Sequence, residues 1–292
     1  MNYTLGNNAF EIAVTAVGAE LCSFKSKKSN KEYIWQANPE IWGSHAPVLF
    51  PIIGGLKNNK FIHDNKEYSL VKHGFIRRNE SLKIVKKSAT SILFQLLSNT
   101  ETFKSFPFTF DFQIQFTLKE NKLIILHTVI NNGNEVMPFS LGAHPAFNCP
   151  LNNNETYSDY YLEFQEKENL YTWDLNSSGL IANKGAKIFN DSSILNLHSS
   201  IFNKDALIFK SLKSKSVKLA SNKSSQEIIV QFQDFKSLGL WAKPDAPFIC
   251  IEPWLGYADS EHTNQFILEK EGILLLPPQE EFHASYSIEI IE

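Results

Sequence analysis

The chain has 292 residues, 43% of them hydrophobic, with 28 basic and 31 acidic side chains and a formal net charge of −3. A chain this apolar buries a sizeable core rather than staying disordered, and one large all-β unit can reach this length. Near-balanced charge argues against a polyanion-binding protein, which calls for a concentrated basic patch, so no nucleic-acid partner is expected.

The elements read, in chain order, mainly as strands. Phe10–Ala16 alternates apolar and polar residues, and so does Ser91–Leu97. The clearest case is Phe108, Phe110, Phe112, Ile114, Phe116 and Leu118, separated by Thr109, Asp111, Gln113, Gln115 and Thr117. A period of two puts six apolar side chains on one face of a strand. Lys122–Ile130, Glu227–Phe235, Phe248–Glu252 and Tyr286–Ile290 continue the pattern. Between them lie the turn residues Asn131-Asn132-Gly133-Asn134, Asn152-Asn153-Asn154, Ser177-Ser178-Gly179 and Ser221-Asn222. Asn152–Tyr160 and the lysine- and serine-rich Lys210–Ser225 read as surface loops or edge hairpins. No long stretch carries a 3.6-residue apolar stripe, and 23 phenylalanines favour pleated sheet. The expected fold is an all-β, mostly antiparallel sandwich in a single domain spanning residues 1–292.

Cys22, Cys149 and Cys250 are an odd and widely spaced set that fits neither a disulfide framework nor a zinc-ligand spacing. The start, MNYTLGNNAFEIAV, shows no signal peptide, and runs such as Ile273–Pro278 are too short to span a bilayer. A cytoplasmic protein without membrane contact or metal is expected.

Of eight histidines, His63, His198, His262 and His283 stand in polar surroundings and read as solvated. His127, within the strand-like LIILHTVI, reads as structural, and His45 precedes the apolar run APVLFPII. His144 differs: small residues precede it in Ser140-Leu141-Gly142-Ala143-His144-Pro145, and Pro145 stops the strand, which places an imidazole where a sheet opens into a cleft. His73 stands at a similar break, Lys72-His73-Gly74-Phe75, where the glycine permits an unusual backbone. Glu252 ends the apolar strand Phe248-Ile249-Cys250-Ile251-Glu252 before Pro253 and Trp254. Burial there raises a carboxyl pKa and makes a better base near neutral pH; capping a turn or pairing with a lysine are the alternatives. Phe147 and Trp254 are aromatics placed to contact a sugar ring. Nucleotide, serine-hydrolase and zinc-protease motifs are missing.

With GAHPAFN at Gly142–Asn148, IEPWLG at Ile251–Gly256 and HGFIR at His73–Arg77 in this order, the chain resembles the aldose 1-epimerase (galactose mutarotase-like) family, its LacX-like branch in particular. The likeness extends to Gly18–Leu21, Tyr33–Trp35, Pro47–Lys57 and Asp205–Phe209. It implies a β-supersandwich with an open groove and a cofactor-free isomerase that interconverts the anomers of a free hexose. By the same resemblance His144 is the acid that protonates the ring oxygen, Glu252 the base at the anomeric hydroxyl, His73 a second histidine on the ring-oxygen side, and Asp205 a sugar ligand. The acid and base are expected on opposite sides of one sugar. One position departs from the family: Gly55 stands where relatives carry an arginine, which leaves Lys57 or Arg77 to reach the sugar. The expected partner is a small sugar, for a monomer or homodimer. Alternatives are a hexose 6-phosphate mutarotase, with Arg77 holding the phosphate, a non-catalytic carbohydrate-binding protein, and a glycosidase, which would need a second carboxylate.

Overall fold

The computed structural model describes residues 1–292. Its largest sheet forms where alternation is strongest. Phe110–Lys119 pairs antiparallel with Lys122–Asn131 over its whole length, Phe116 opposite Ile125 and Phe112 opposite Val129. Nine strands lie side by side in the order Ser192–Asn196, Tyr160–Glu168, Ser216–Ser221, Glu227–Gln231, Glu281–Ile291, Lys122–Asn131, Phe110–Lys119, Ser91–Leu97 and Lys83–Lys87. The edge strand Lys83–Lys87 carries three lysines, a charge that resists pairing with another chain.

The second sheet holds Leu207–Phe209, Ser237–Trp241, Phe248–Leu255, Leu141–Ala143 and Val48–Leu49 in that order, and Ala146–Asn148 also pairs with Phe248–Leu255. Every residue of Phe248–Leu255 is buried, as befits a strand with neighbours on both sides in the middle of a sheet. Between the two sheets lies a continuous core running from Leu5 to Ile290. Phe50 sits in it against Phe110, Phe112 and Phe139, ring centroids 5.5, 4.9 and 5.9 Å away. Such pairs add about 0.5–1.5 kcal/mol each beyond their buried area, which explains what the phenylalanines do here.

The all-β, antiparallel expectation agrees with this architecture. Thr100–Ser105 is the one α-helix, capped by Asn99, and no helix is long and apolar enough to cross a membrane. Two details differ. Lys210–Ser225 is not an edge: Ser216–Ser221 lies inside the large sheet, burying Val217 and Leu219 while Lys218 faces out. The strand expected over Glu227–Phe235 pairs only to Gln231, and Phe232 and Phe235 then turn into the core.

Candidate active site

The central strand Phe248–Leu255 sets the site. Ile249 and Ile251 share one face of it, whereas Cys250, Glu252 and Trp254 alternate onto the other, Cys250 packed within the main core and Glu252 and Trp254 lining a cleft. That face floors the cleft, which measures about 700 Å³, within the range of small-molecule sites. Glu252 does not end the strand; pairing continues through Pro253 to Leu255, and the carboxylate lies mid-sheet opposite Gly239, 1% exposed. A Cβ at Gly239 would come within 2.5 Å of the Trp254 indole, so that glycine lets the ring lie across the neighbouring strand.

His144 arrives from the other side. Leu141–Ala143 pairs with the central strand, Pro145 interrupts, and Ala146–Asn148 resumes opposite Cys250. The His144 backbone N–H donates to the Pro47 carbonyl at 3.0 Å. Its Nε2 then stands 3.3 Å from Glu252 Oε2, without the alignment of a hydrogen bond, so Oε2 and His144 Nδ1 have no hydrogen-bond partner. The acid–base candidates are therefore side by side on the floor, not on opposite sides of the cleft. Trp42 stacks on the imidazole with centroids 5.0 Å apart, and Trp241 meets it edge-on at 5.9 Å.

His73 adopts φ 68°, and Gly74 after it φ 71°. A Cβ on Gly74 would fall 2.1 Å from the Phe50 carbonyl oxygen, so only glycine fits. The His73 ring lies edge-on to His144, centroids 5.8 Å apart, and its Nδ1 accepts from the Gly54 N–H at 3.1 Å. Lys72, Arg77, Lys204 and Asp205 complete the charged lining.

Burial dominates the protonation of this group. It pushes Glu252 well above the usual carboxylate range; Lys72, the Trp254 indole and Arg77 oppose the shift, and Asp205 reinforces it. Burial, with Arg77 next, lowers His144 to about 3. His73 falls well below 6.5 through burial and then His144, Lys72 and Arg77.

His144, Glu252, His73, Asp205, Arg77 and Trp254 thus come together in one cleft. Asp205 stands on its exposed rim with φ 79°, accepting from the Ala206 N–H at 2.8 Å. Two residues expected at the sugar lie elsewhere. Phe147 pairs with Ile249, so it shares the core face and is fully buried away from the cleft. Lys57 is tied off, its Nζ donating to the Glu261 carbonyl at 2.9 Å and its backbone N–H to Asp259 Oδ2 at 2.9 Å. His45 sits outside the cleft beside Glu20, Nδ1 to Oε1 3.9 Å. His63 is buried, not solvated: Phe108 packs on its ring and Glu135 Oε2 lies 3.1 Å from its Nε2. His127 is fully buried with neither ring nitrogen hydrogen-bonded. At Gly55 a Cβ would meet nothing closer than 3.8 Å, so the backbone there does not demand glycine.

Sequence reasoning missed Trp42, Trp241, Lys72 and Lys204. Lys72 was findable as the neighbour of His73. The two tryptophans, in EIWGS and GLWAK, carry no local signal, and only folding joins them at His144.

The aldose 1-epimerase family pattern matches residues 1–265. Plasmid-encoded Protein LacX of Lactococcus lactis subsp. lactis is 34% identical over 300 residues, covering 100% of both chains. Among solved structures, a galactose mutarotase related enzyme from Lactobacillus acidophilus superposes with a TM-score of 0.93 at 34% identity, over 100% of this chain and 98% of that one. A galactose mutarotase-like protein from Lactobacillus casei gives 0.93 at 27% identity, covering 100% of both.

Proposed function

The chain belongs to the aldose 1-epimerase family, and from that premise we propose that it interconverts the α and β anomers of a free hexose, with Glu252 and His144 as the proton-transfer pair. The observation that carries this reading is their 3.3 Å separation on the cleft floor. O1 and O5 of an aldopyranose are both bonded to C1. Two groups that stand side by side can therefore reach both oxygens of one sugar, as these are spaced to do.

In the opening step Glu252 takes the O1 proton, the O1 electrons form the carbonyl, the C1–O5 bond breaks, and O5 takes a proton from His144. Rotation about C1–C2 presents the other carbonyl face, and the protons return as the ring closes. Each such transfer is worth about 10²–10⁴-fold. His73 donates to the ring-oxygen side through Nε2–H, because its Nδ1 already accepts from Gly54.

The burial shifts favour a proton on Glu252 and a neutral imidazole on His144. This is the distribution that ring opening leaves behind. The reaction therefore begins with one proton passing from Glu252 to His144 as the sugar binds. Lys72 and Arg77 offset the carboxylate charge so formed, and the Trp42 face offsets the imidazolium.

Lys72, Arg77 and Lys204 in the lining favour a second reading, a hexose 6-phosphate substrate, since three cations suit a phosphate dianion. Polarimetry on fresh α-glucose, α-galactose and α-glucose 6-phosphate tests both. The wild type is expected to speed the decay, and Glu252→Gln to lose about 10²–10⁴-fold. A strong preference for the ester would move the assignment to the phosphate, and sugar binding with no acceleration would make this a carbohydrate-binding protein.

A further inference from the structure

We propose that Cys250, His144 and Glu252 form a binding site for a soft divalent cation, zinc above all, and that the bound ion switches the catalytic pair off. Cys250 has no place in the proton transfers, yet it lies on the same face of the central strand as Glu252, two residues away. One ligand atom from each of the three residues lies within 4.8 Å of the other two, and all three residues are buried. A tetrahedral ion with bonds of about 2.0–2.2 Å holds neighbouring ligand atoms about 3.3–3.6 Å apart. His144 Nε2 and Glu252 Oε2, at 3.3 Å, already have that spacing, and Oε2 has no hydrogen-bond partner to give up.

The donor set selects the ion. Sulfur, imidazole nitrogen and one carboxylate oxygen, the last two from residues that line the cleft, suit zinc; magnesium and calcium demand more oxygens than the site offers. A thiolate and a carboxylate also neutralise a doubly charged ion, which a site beside Lys72 and Arg77 requires. Binding takes Cys250 as thiolate, Glu252 as carboxylate and His144 as neutral imidazole; the displaced protons go to solvent and no electron moves. The lone pairs that serve O1 and O5 are then held by the ion. Only this loss of turnover rests on the acid–base reading; the binding does not.

The test is titration of the full chain with cobalt(II), then zinc. One cobalt per chain is expected, with the near-ultraviolet charge-transfer band of a thiolate ligand, displaced by zinc and suppressed by saturating hexose. The other three-donor group, His63, Asp64 and Glu135, has no thiol and gives no such band. Cys250→Ala is expected to remove the band, weaken zinc binding more than about 100-fold, and render mutarotation resistant to zinc. No band in the wild type, or unchanged zinc affinity in Cys250→Ala, overturns the proposal. Should that variant fail to fold, the wild-type band and its suppression by hexose decide alone. A chain that binds cobalt as described but turns over no sugar would sink the epimerase reading and leave the site standing.

Discussion

Nδ1 of His73 accepts a hydrogen bond from the backbone N–H of Gly54 at 3.1 Å, and this fixes the tautomer of a buried imidazole. A backbone amide can only donate, so Nδ1 carries no proton and Nε2 must. The low proton affinity of His73 keeps the ring neutral, a donor whose charge does not change as the reaction proceeds. His73→Phe keeps a ring of similar shape but loses both the donor and the acceptor for Gly54. We expect kcat to fall about 10²–10³-fold, the scale for one lost donor at a developing oxyanion. Steady-state polarimetry beside a thermal melt checks it: a variant that stays folded and keeps full kcat would remove His73 from the reaction.

The pH profile separates a shared proton from an ordinary histidine acid. His144 is lowered to about 3 and Glu252 raised well above the usual range, so between these limits the pair holds one proton. The buffer-corrected rate is expected to show no break at the ordinary histidine pKa of about 6.5 and to fall where the raised Glu252 carboxyl gives up the shared proton. A histidine titrating alone would lose activity tenfold per unit above about 6.5. A decline of that slope from neutrality would show that the two groups do not share their proton.

How far the sequence revealed this site follows from what each signal reports. Alternation reports one face of a strand, so Phe110–Lys119 was legible, and the sheet around Glu252 followed from its neighbours. A break in a strand reports an opening, which is why His144 and His73 stood out. Parity across a ladder is not written locally. Phe147 follows His144 by three residues, yet its register with Ile249 turns it into the core. His63 looked solvated because its sequence neighbours are polar, but Phe108, from 45 positions away, covers its ring. The Trp42 stack on His144 lay beyond local reading for the same reason.

His127 is a structural weakness rather than a catalyst. It stacks on Tyr286 with centroids 6.0 Å apart, and neither ring nitrogen finds a hydrogen-bond partner. Burial lowers its pKa to about 4, the strand-paired Ala284 backbone opposing only in part. A folded-state pKa below the unfolded value near 6.5 means that the unfolded chain takes up the proton first as pH falls. Stability is therefore fully present above pH 6.5 and is lost between about 6.5 and about 4, by roughly 3 kcal/mol for this group. His127→Leu removes the unpaired nitrogens at similar volume and is expected to raise stability by about 1–3 kcal/mol at pH 5. Urea unfolding at pH 7 and pH 5 measures both the gain and the flattened pH slope; an unchanged slope would mean that another group titrates in that window.

Lys270 and Asp259 form an ion pair behind the cleft, Nζ to Oδ1 3.0 Å, each side chain 3% exposed. Lys270 Nζ also donates to the Tyr257 carbonyl at 2.8 Å, and Asp259 Oδ2 accepts from the Lys57 N–H at 2.9 Å. The pair ties the segment Tyr257–Asp259 to the loop that carries Gly54, whose absent Cβ would lie 2.5 Å from Ala258. Because Gly54 in turn holds His73, the pair bears on the site without touching the sugar. Lys270→Met leaves a buried carboxylate unpaired and is expected to cost about 3–5 kcal/mol. Adding Asp259→Leu removes the stranded charge and should restore most of that, less about 1–3 kcal/mol for the Lys57 N–H it leaves without an acceptor. A double-mutant cycle by urea denaturation reads the coupling. Additive losses would mean that each charge finds other partners; strong coupling with recovery would mark the pair as the clasp that keeps Ala258, Gly54 and His73 in register.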